Sequence, residues 1–172
     1  MIDAKIIDEL AREVLKICRQ RKLLLATVES CTGGMIAAAL TDIAGSSDVV
    51  DCGFVTYSNE AKMSMVGVDQ CLLEKYGAVS EPVAVAMAKG ALLHSRADIS
   101  IAVTGIAGPD GGSNEKTVGL VHLAVALKQF EPLHFKAHFG DIGRGNVRQA
   151  TVIKAFELIV SYVKNNVKCL PR

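Results

Sequence analysis

Hydrophobic residues recur along this chain with two spacings, one typical of helices and one typical of buried strands. In residues 3–21 the apolar positions are three or four residues apart with charges between them, which predicts an amphipathic helix. These positions are Ile6, Leu10, Val14 and Ile17. The run LLLATV at 23–28 is apolar throughout, which indicates a strand buried on both faces.

The rest of the chain continues this alternation. The predicted strands cover 49–57, 98–104, 117–127 and 133–139, the last two forming an antiparallel hairpin. The predicted helices cover 33–40, a segment capped by Asn59 that ends at 65, a segment capped by Asp69 that ends at 77, 80–95 and 147–165. Helices between early strands and a late hairpin predict one three-layer α/β/α domain spanning residues 1–172, with a mixed, mostly parallel sheet.

Composition narrows the functional classes. No apolar run approaches the ~20 residues that cross a bilayer, and the N-terminus lacks the apolar region of a signal peptide. The five cysteines are widely spaced and contain no CxxC, which favours reduced thiols. We therefore expect a cytoplasmic protein without a membrane partner.

Charge and motifs give no reason to expect nucleic acid, a metal or a nucleoside triphosphate. The net charge is +1 and aromatic residues make up only 5%, so neither a basic surface nor a stacking platform is evident. His134 and His138 would share one strand face, but a third metal ligand is missing. The glycine-rich loop at 104–112 matches neither GxxxxGK[ST] nor GxGxxG.

Polar segments follow three of the predicted strands. They are ESCTGG at 29–34, YSNEAK at 57–62 and TGIAGPDGG at 104–112. In α/β sheets, ligands bind beside the carboxyl ends of the parallel strands. The coincidence predicts a functional site at this edge of the sheet.

The segment ESCTGG has two interpretations. In one, Ser30 or Thr32 caps the following helix, and Gly33 and Gly34 only allow the turn. In the other, backbone N–H groups at the helix start bind a phosphate or an oxyanion, and Ser30 is a nucleophile.

The two neighbours of Ser30 are ambiguous. Glu29 either faces solvent or orients a neighbouring group. Cys31 is a rival nucleophile, because a helix N-terminus lowers the pKa of a thiol. No histidine is obviously placed to assist it, so we interpret Cys31 as a buried neighbour.

A serine nucleophile needs a base, and Lys62 is the candidate. It lies one turn into the helix that follows the strand ending at Tyr57, so its amine can return towards the strand ends. A lysine acts as a base when burial lowers its pKa from ~10.4 towards ~7–8. A Ser30–Lys62 pair with Tyr57 as a relay is the catalytic hypothesis; a solvated lysine is the alternative.

The remaining candidates concern binding. Thr104 and the N–H of Gly105 could line a pocket with Ser30, unless their loop is only a mobile connection. Arg144 and Arg148 could bind an anionic group through their planar guanidinium donors, although single arginines are more often surface charges.

With these motifs in view, the sequence resembles the CinA C-terminal domain family, whose members include nicotinamide-nucleotide amidohydrolases. The matching segments are 27–47, 53–68, 77–91, 101–121 and 143–149, which together extend over essentially the whole chain. We expect the stand-alone form of the family, without the additional N-terminal domain of some members.

The resemblance implies hydrolysis of nicotinamide mononucleotide to nicotinate mononucleotide and ammonia, without a metal or organic cofactor. It implies Ser30 as nucleophile, Lys62 and Tyr57 as proton carriers, Thr104 near the reacting amide and Arg144 as a substrate contact. A non-catalytic nucleotide-binding module and an amidase for another small carboxamide stay open. A homodimer is the default expectation.

Overall fold

A computed structural model describes residues 4–166 as alternating helices and strands. The helices are α1 (Ala4–Gln20), α2 (Met35–Thr41), α3 (Asn59–Val66), α4 (Gln70–Tyr76), α5 (Glu81–Leu93) and α6 (Arg144–Asn166), with one 3-10 turn at Ser46–Asp48. The strands are β1 (Leu25–Glu29), β2 (Val50–Val55), β3 (Ile99–Gly105), β4 (Leu120–Leu127) and β5 (Leu133–His138). Every predicted strand and helix is present.

The five strands form one mixed sheet in the order β2-β1-β3-β4-β5. β1 pairs in parallel with both β2 and β3, whereas β4 is antiparallel to β3 and to β5. Four of the five strands therefore run in the same direction, and the predicted β4–β5 hairpin is confirmed. Since β1, β2 and β3 are parallel, their carboxyl ends lie at one edge.

Helices cover both faces of the sheet, which confirms the three-layer α/β arrangement. On one face, β3 directs Ile99, Ile101 and Val103 into a core shared with α1, α2 and α6. On the other face, Ala102 and its small neighbours let α5 pack closely on the sheet. Each fully buried Ile or Val side chain of β3 contributes about 1.5–3 kcal/mol to the stability of the fold.

The closest helix contact supports the segment that follows β2. A Cβ at Gly90 in α5 would lie 1.9 Å from the carbonyl oxygen of Val66, the last residue of α3. Only glycine fits there, because a larger residue would push α3 away from α5. This contact fixes the helix that carries Lys62.

Some predicted boundaries are wrong. Ser58, not Asn59, caps α3, because its Oγ accepts the Ala61 N–H at 3.0 Å. Helix α6 begins at Arg144, three residues before its predicted start at 147. The predicted Asp69 cap of α4 is confirmed by its bond from the Cys71 N–H at 2.7 Å.

Two other expectations concern the chain as a whole. None of the described helices is long and apolar enough to cross a membrane. The four cysteines within residues 4–166 are free thiols, and Cys169 lies outside the described residues.

Candidate active site

A cavity of about 230 Å³ opens beside the carboxyl ends of β1, β2 and β3. Its lining residues are Ser30, Cys31, Tyr57, Asn59, Lys62, Ala78, Val79, Thr104, Gly105, Ala107 and Arg144. The three polar segments that follow these strands all contribute to it. Most of the predicted site residues are thus brought to one place.

Ser30 and Lys62 are in direct contact at the buried end of this cavity. The Lys62 Nζ lies 3.1 Å from the Ser30 Oγ and donates to the Thr56 carbonyl oxygen at 2.8 Å. Lys62 is only 1% exposed, and Ser30 is also buried. A hydroxyl and an amine at this distance can exchange a proton.

The position of Lys62 follows from the local sequence. Ser58 caps α3 three residues after the end of β2, and Lys62 is the fourth residue of that helix. Long helical side chains point back towards the N-terminus, which here means towards the end of β2. The amine therefore meets the Thr56 carbonyl and crosses to β1, whose end carries Ser30.

The surroundings of Lys62 favour its neutral form. Burial lowers the pKa of the Lys62 amine, and this effect outweighs the opposite effect of the nearby Cys31. Within residues 4–166, no carboxylate forms an ion pair with Lys62. A buried amine without an acidic partner loses its proton more readily than an exposed one.

Glu29 is the unexpected element of the site. Its side chain is 0% exposed and accepts backbone N–H bonds from Gly34 at 3.0 Å, Ile36 at 3.0 Å and Ala37 at 2.8 Å. It therefore neutralises the free donors at the start of α2, and a carboxylate is favoured at this end of the helix. The solvent-facing interpretation of Glu29 is wrong.

Because Glu29 occupies the helix start, neither Ser30 nor Thr32 acts as the cap. The Ser30 hydroxyl contacts Lys62, and the buried Thr32 hydroxyl has no hydrogen-bond partner among the described residues. The capping interpretation of these two residues is wrong.

Thr32, Gly33 and Gly34 do not line the cavity. The Gly33 N–H donates to the Ser30 carbonyl at 3.1 Å, and the Gly34 N–H donates to Glu29. Both glycines have positive φ, 59° and 97°, which explains why glycine stands there. Their role as substrate contacts stays a prediction, with these two amides already engaged inside the protein.

Thr104 and Gly105 form the opposite wall at the end of β3. The Thr104 hydroxyl donates to the Ala78 carbonyl at 2.9 Å, which ties β3 to the α4–α5 connection. A Cβ at Gly105 would lie 2.7 Å from the Val121 side chain, so this position requires glycine.

Tyr57 and Arg144 lie at the cavity mouth. Arg144 donates to the Tyr57 hydroxyl and to the Gly108 carbonyl, both at 2.9 Å. Tyr57 is 59% exposed, and its hydroxyl contacts Arg144 rather than the Ser30–Lys62 pair. The relay role of Tyr57 stays a prediction, since the two proposed reacting groups already meet without it.

Sequence reasoning missed several lining residues. Asn59 lies in the polar segment 57–62, but the sequence predicted only a helix cap at this position. Ala78 and Val79 enter from the α4–α5 connection, and small apolar residues give no chemical signal. Their position depends on the Thr104 contact, which only the tertiary structure shows.

Cys31 lines the cavity but is held as a thiol. Burial raises the pKa of Cys31 to about 12, and Glu29 adds to this, while Arg148 and Lys62 act in the opposite direction. A thiol with so high a pKa is a poor nucleophile near neutral pH.

The two histidines expected on one strand, His134 and His138, both lie on β5. His134 contacts His122 on β4, with the His122 Nδ1 2.9 Å from the His134 Nε2. Within the described part of the chain, no group of three or more His, Cys, Asp or Glu residues is placed to hold a metal ion.

Together these features define an α/β domain with a cavity at its strand ends and a buried serine–lysine pair inside. The chain belongs to the CinA C-terminal domain family, whose model matches residues 7–163. The resemblance seen in the sequence is confirmed.

Individual relatives agree with this assignment. The chain is 45% identical over 165 residues to "Nicotinamide-nucleotide amidohydrolase PncC" of Escherichia coli, covering 96% of this chain and 99% of that protein. It is 46% identical over 156 residues to "Putative competence-damage inducible protein" of Acetivibrio thermocellus, covering 91% of this chain. The match spans only 37% of that longer relative.

Solved structures show the same architecture. The crystal structure of the competence/damage inducible protein CihA from Agrobacterium tumefaciens superposes with a TM-score of 0.89 at 54% identity. That comparison covers 91% of this chain and 94% of the other.

Proposed function

We propose that this protein is an amidohydrolase that converts nicotinamide mononucleotide to nicotinate mononucleotide and ammonia, with Ser30 as nucleophile and Lys62 as base. The observation that carries the mechanism is the buried 3.1 Å contact between the Lys62 Nζ and the Ser30 Oγ. The substrate is inferred from the E. coli relative, a nicotinamide-nucleotide amidohydrolase that this chain matches over nearly its full length.

The first half of the reaction forms an acyl-enzyme. Neutral Lys62 accepts the Ser30 proton directly, and the Ser30 Oγ attacks the carboxamide carbon of the substrate. As the tetrahedral intermediate collapses, the C–N bond breaks and Lys62 returns the proton to the departing nitrogen, which leaves as ammonia. Burial of Lys62 supports this step, because it favours the neutral amine.

The second half releases the product. Lys62 accepts a proton from water, and the hydroxide attacks the acyl carbon. As the ester bond to Ser30 breaks, Lys62 returns this proton to the Ser30 Oγ, and the product acid leaves as nicotinate mononucleotide after losing its own proton to solvent. Each tetrahedral intermediate needs N–H donors for its oxyanion. The Gly33 and Gly34 amides are engaged elsewhere, so the backbone at Cys31 or Ala107, which line the cavity, is better placed.

We assign substrate recognition to Thr104, on the wall opposite Ser30, and to Arg144 at the cavity mouth. The Thr104 hydroxyl already donates to Ala78, so its free lone pair can accept an N–H of the substrate carboxamide. Arg144 forms no ion pair among the described residues, and its exposed guanidinium is available for the phosphate. The exposed Tyr57 ring beside it can cover the pyridine ring.

The test is ammonia release from nicotinamide mononucleotide by the purified protein and two variants. Ser30→Ala should lower kcat/KM by roughly 10³-fold or more, because it removes the nucleophile. Lys62→Met should lower it by about 10²–10⁴-fold, the usual contribution of a general base. Ser161→Ala and Lys89→Met, which change exposed residues on α6 and α5, serve as matched controls.

The alternatives give different outcomes. Tight binding of the mononucleotide without ammonia release would support a binding module instead. Faster turnover of nicotinamide or asparagine would indicate an amidase for another carboxamide. Near-normal activity of Ser30→Ala would exclude the serine mechanism.

A further inference from the structure

Arg148 lies behind the turn that carries Ser30, outside the cavity. It is four residues after Arg144 on α6, so both side chains leave the same face of the helix. Arg144 reaches the cavity mouth, whereas the Arg148 Nη2 donates to the Thr32 carbonyl at 2.7 Å. Arg148 does not line the cavity and so has no direct path to the substrate.

The charge of Arg148 has no acidic partner in the described part of the chain. None of the ion pairs between residues 4 and 166 includes it. Its Nε is buried and has no hydrogen-bond partner among the same residues. A buried donor without a partner destabilises the folded state. Stability alone therefore does not account for an arginine at this position.

The carbonyl that Arg148 holds belongs to a peptide group fixed at both ends. The Thr32 carbonyl accepts from Arg148, and the N–H of the same peptide, from Gly33, donates to the Ser30 carbonyl at 3.1 Å. This second bond closes the turn over Ser30. A shift of the Thr32–Gly33 peptide would therefore move Ser30 relative to Lys62.

Arg148 also packs closely on the turn itself. A Cβ at Gly33 would lie 3.5 Å from the Arg148 Nη2, so the guanidinium lies directly against the turn backbone. Its positive charge opposes the effect of burial, which raises the pKa of Cys31 to about 12. The guanidinium charge of Arg148 thus stabilises a negative charge that forms beside Ser30.

We propose that Arg148 is a positioning residue for the hydrolysis: it holds the Thr32–Gly33 peptide and, through it, the Ser30 turn, and its unpaired charge stabilises the anionic intermediate at Ser30. The inference rests on the proposed function, because it presumes that Ser30 is the nucleophile. It adds a residue of α6 to a mechanism otherwise built from β1 and α3.

The test compares Arg148→Gln and Arg148→Lys with Lys164→Gln, which removes a positive charge from an exposed position on the same helix. Arg148→Gln should lower kcat by about 10- to 100-fold, the typical result of a small misplacement of a reacting group. KM should change by less than about threefold, because the residue does not touch the substrate. Arg148→Lys should recover part of kcat, and Lys164→Gln should keep all of it.

A second measurement is independent of the substrate. A small fluorophosphonate labels an activated serine, and mass spectrometry gives the rate of labelling at Ser30. Arg148→Gln should slow this labelling by a factor similar to its loss in kcat, at a temperature well below the Tm of each variant.

The outcomes separate this inference from the proposed function. If Arg148→Gln keeps the wild-type kcat and labelling rate, or if its losses match its unfolded fraction, the positioning role is overturned. If the wild type releases no ammonia from the mononucleotide, the proposed function fails, while slower Ser30 labelling in Arg148→Gln still supports the role of Arg148. A wild-type Ser30 that resists the probe overturns both.

Discussion

The two sides of the cavity differ in how their polar groups are partnered. On the side of the β1–α2 turn, Glu29, Ser30 and Lys62 are buried, and each bonds to another protein group. On the side of α6, Tyr57 and Arg144 are exposed, and Arg144 donates to the Tyr57 hydroxyl and to the Gly108 carbonyl. The buried side has a fixed geometry, which suits proton transfer, whereas the exposed side can exchange its internal bond for a ligand.

Two of the helices that start near the cavity, α2 and α6, show the same contrast. At α2, the buried Glu29 carboxylate satisfies the N-terminal amides. At α6, the first turn contains no acidic residue and begins with Arg144, although a helix N-terminus disfavours positive charge. The start of α2 is thus satisfied by a carboxylate, whereas the start of α6 stays electropositive, which is consistent with the proposed binding of the substrate phosphate by Arg144.

Glu29→Gln should cause the largest change, because it disrupts the hydrogen bonds that Glu29 accepts on the buried side of the cavity. A neutral amide offers one acceptor oxygen to three N–H donors, and its NH₂ group would face a donor. We expect the free energy of unfolding to fall by about 2–3 kcal/mol, as for other buried charged acceptors, and the ammonia-release kcat to fall with it. Chemical denaturation and steady-state kinetics measure the two effects.

Glu60→Gln is the matched control for this change. Glu60 is an exposed acid in the first turn of α3, where its removal should cost less than about 1 kcal/mol. If Glu29→Gln were as mild as Glu60→Gln, the buried carboxylate would not hold the turn.

Arg144→Gln should have a smaller effect and should act on binding alone. We expect KM for the mononucleotide to rise about tenfold, equivalent to ~1.4 kcal/mol, with kcat nearly unchanged. The nucleoside without the phosphate should be hydrolysed equally well by both proteins, because it lacks the group that Arg144 is proposed to bind.

Arg96→Gln is the control for loss of a surface guanidinium, since Arg96 pairs with Asp51 away from the cavity. An equal rise in KM for the nucleoside would show that Arg144 does not recognise the phosphate. It would also remove the distinction between a reacting side and a binding side.

The sequence predicted the meeting of Ser30 and Lys62 because both follow parallel strands, and parallel strands end at one edge of a sheet. It did not predict the role of Glu29, because the direction of a side chain after a strand depends on packing that only the fold defines. The predicted substrate contacts of Gly33 and Gly34 depend on packing in the same way. Glycine indicates a turn, but which amides stay free depends on neighbours such as Glu29.

The cap of α3 shows that sequence patterns can leave a choice between two adjacent residues. Ser58 and Asn59 are adjacent and both are good capping residues, so the sequence could not separate them. The structure assigns the cap to Ser58 and turns Asn59 towards the cavity. A one-residue difference therefore decides which side chain is available to a substrate.

The last expected effect concerns β4, the strand that pairs with β3 at Thr104, and it changes stability alone. His122, the cross-strand neighbour of Thr104, contacts His134, which lies 3.3 Å from a Glu81 oxygen. Burial lowers the pKa of His122 to about 4, and the positive charges nearby act in the same direction. These are His134, Lys136, Lys116 and His138. Burial also lowers the pKa of His134, against the effect of Glu81.

The sign of the pH dependence follows from these shifts. An unfolded histidine binds a proton near pH ~6.5, whereas the folded His122 resists protonation until the pH approaches about 4. The contribution of His122 to stability is therefore complete above about pH 6.5 and is lost as the pH falls towards 4.

The difference in Tm between the wild type and His122→Asn should be largest at neutral pH and should shrink across this range. Val125→Ala, which removes buried side-chain volume from the same strand and keeps both histidines, should lower Tm by an amount that does not vary with pH. A constant difference for His122→Asn would mean that His122 binds protons equally in the folded and unfolded states, so that folding does not change the pKa of this histidine.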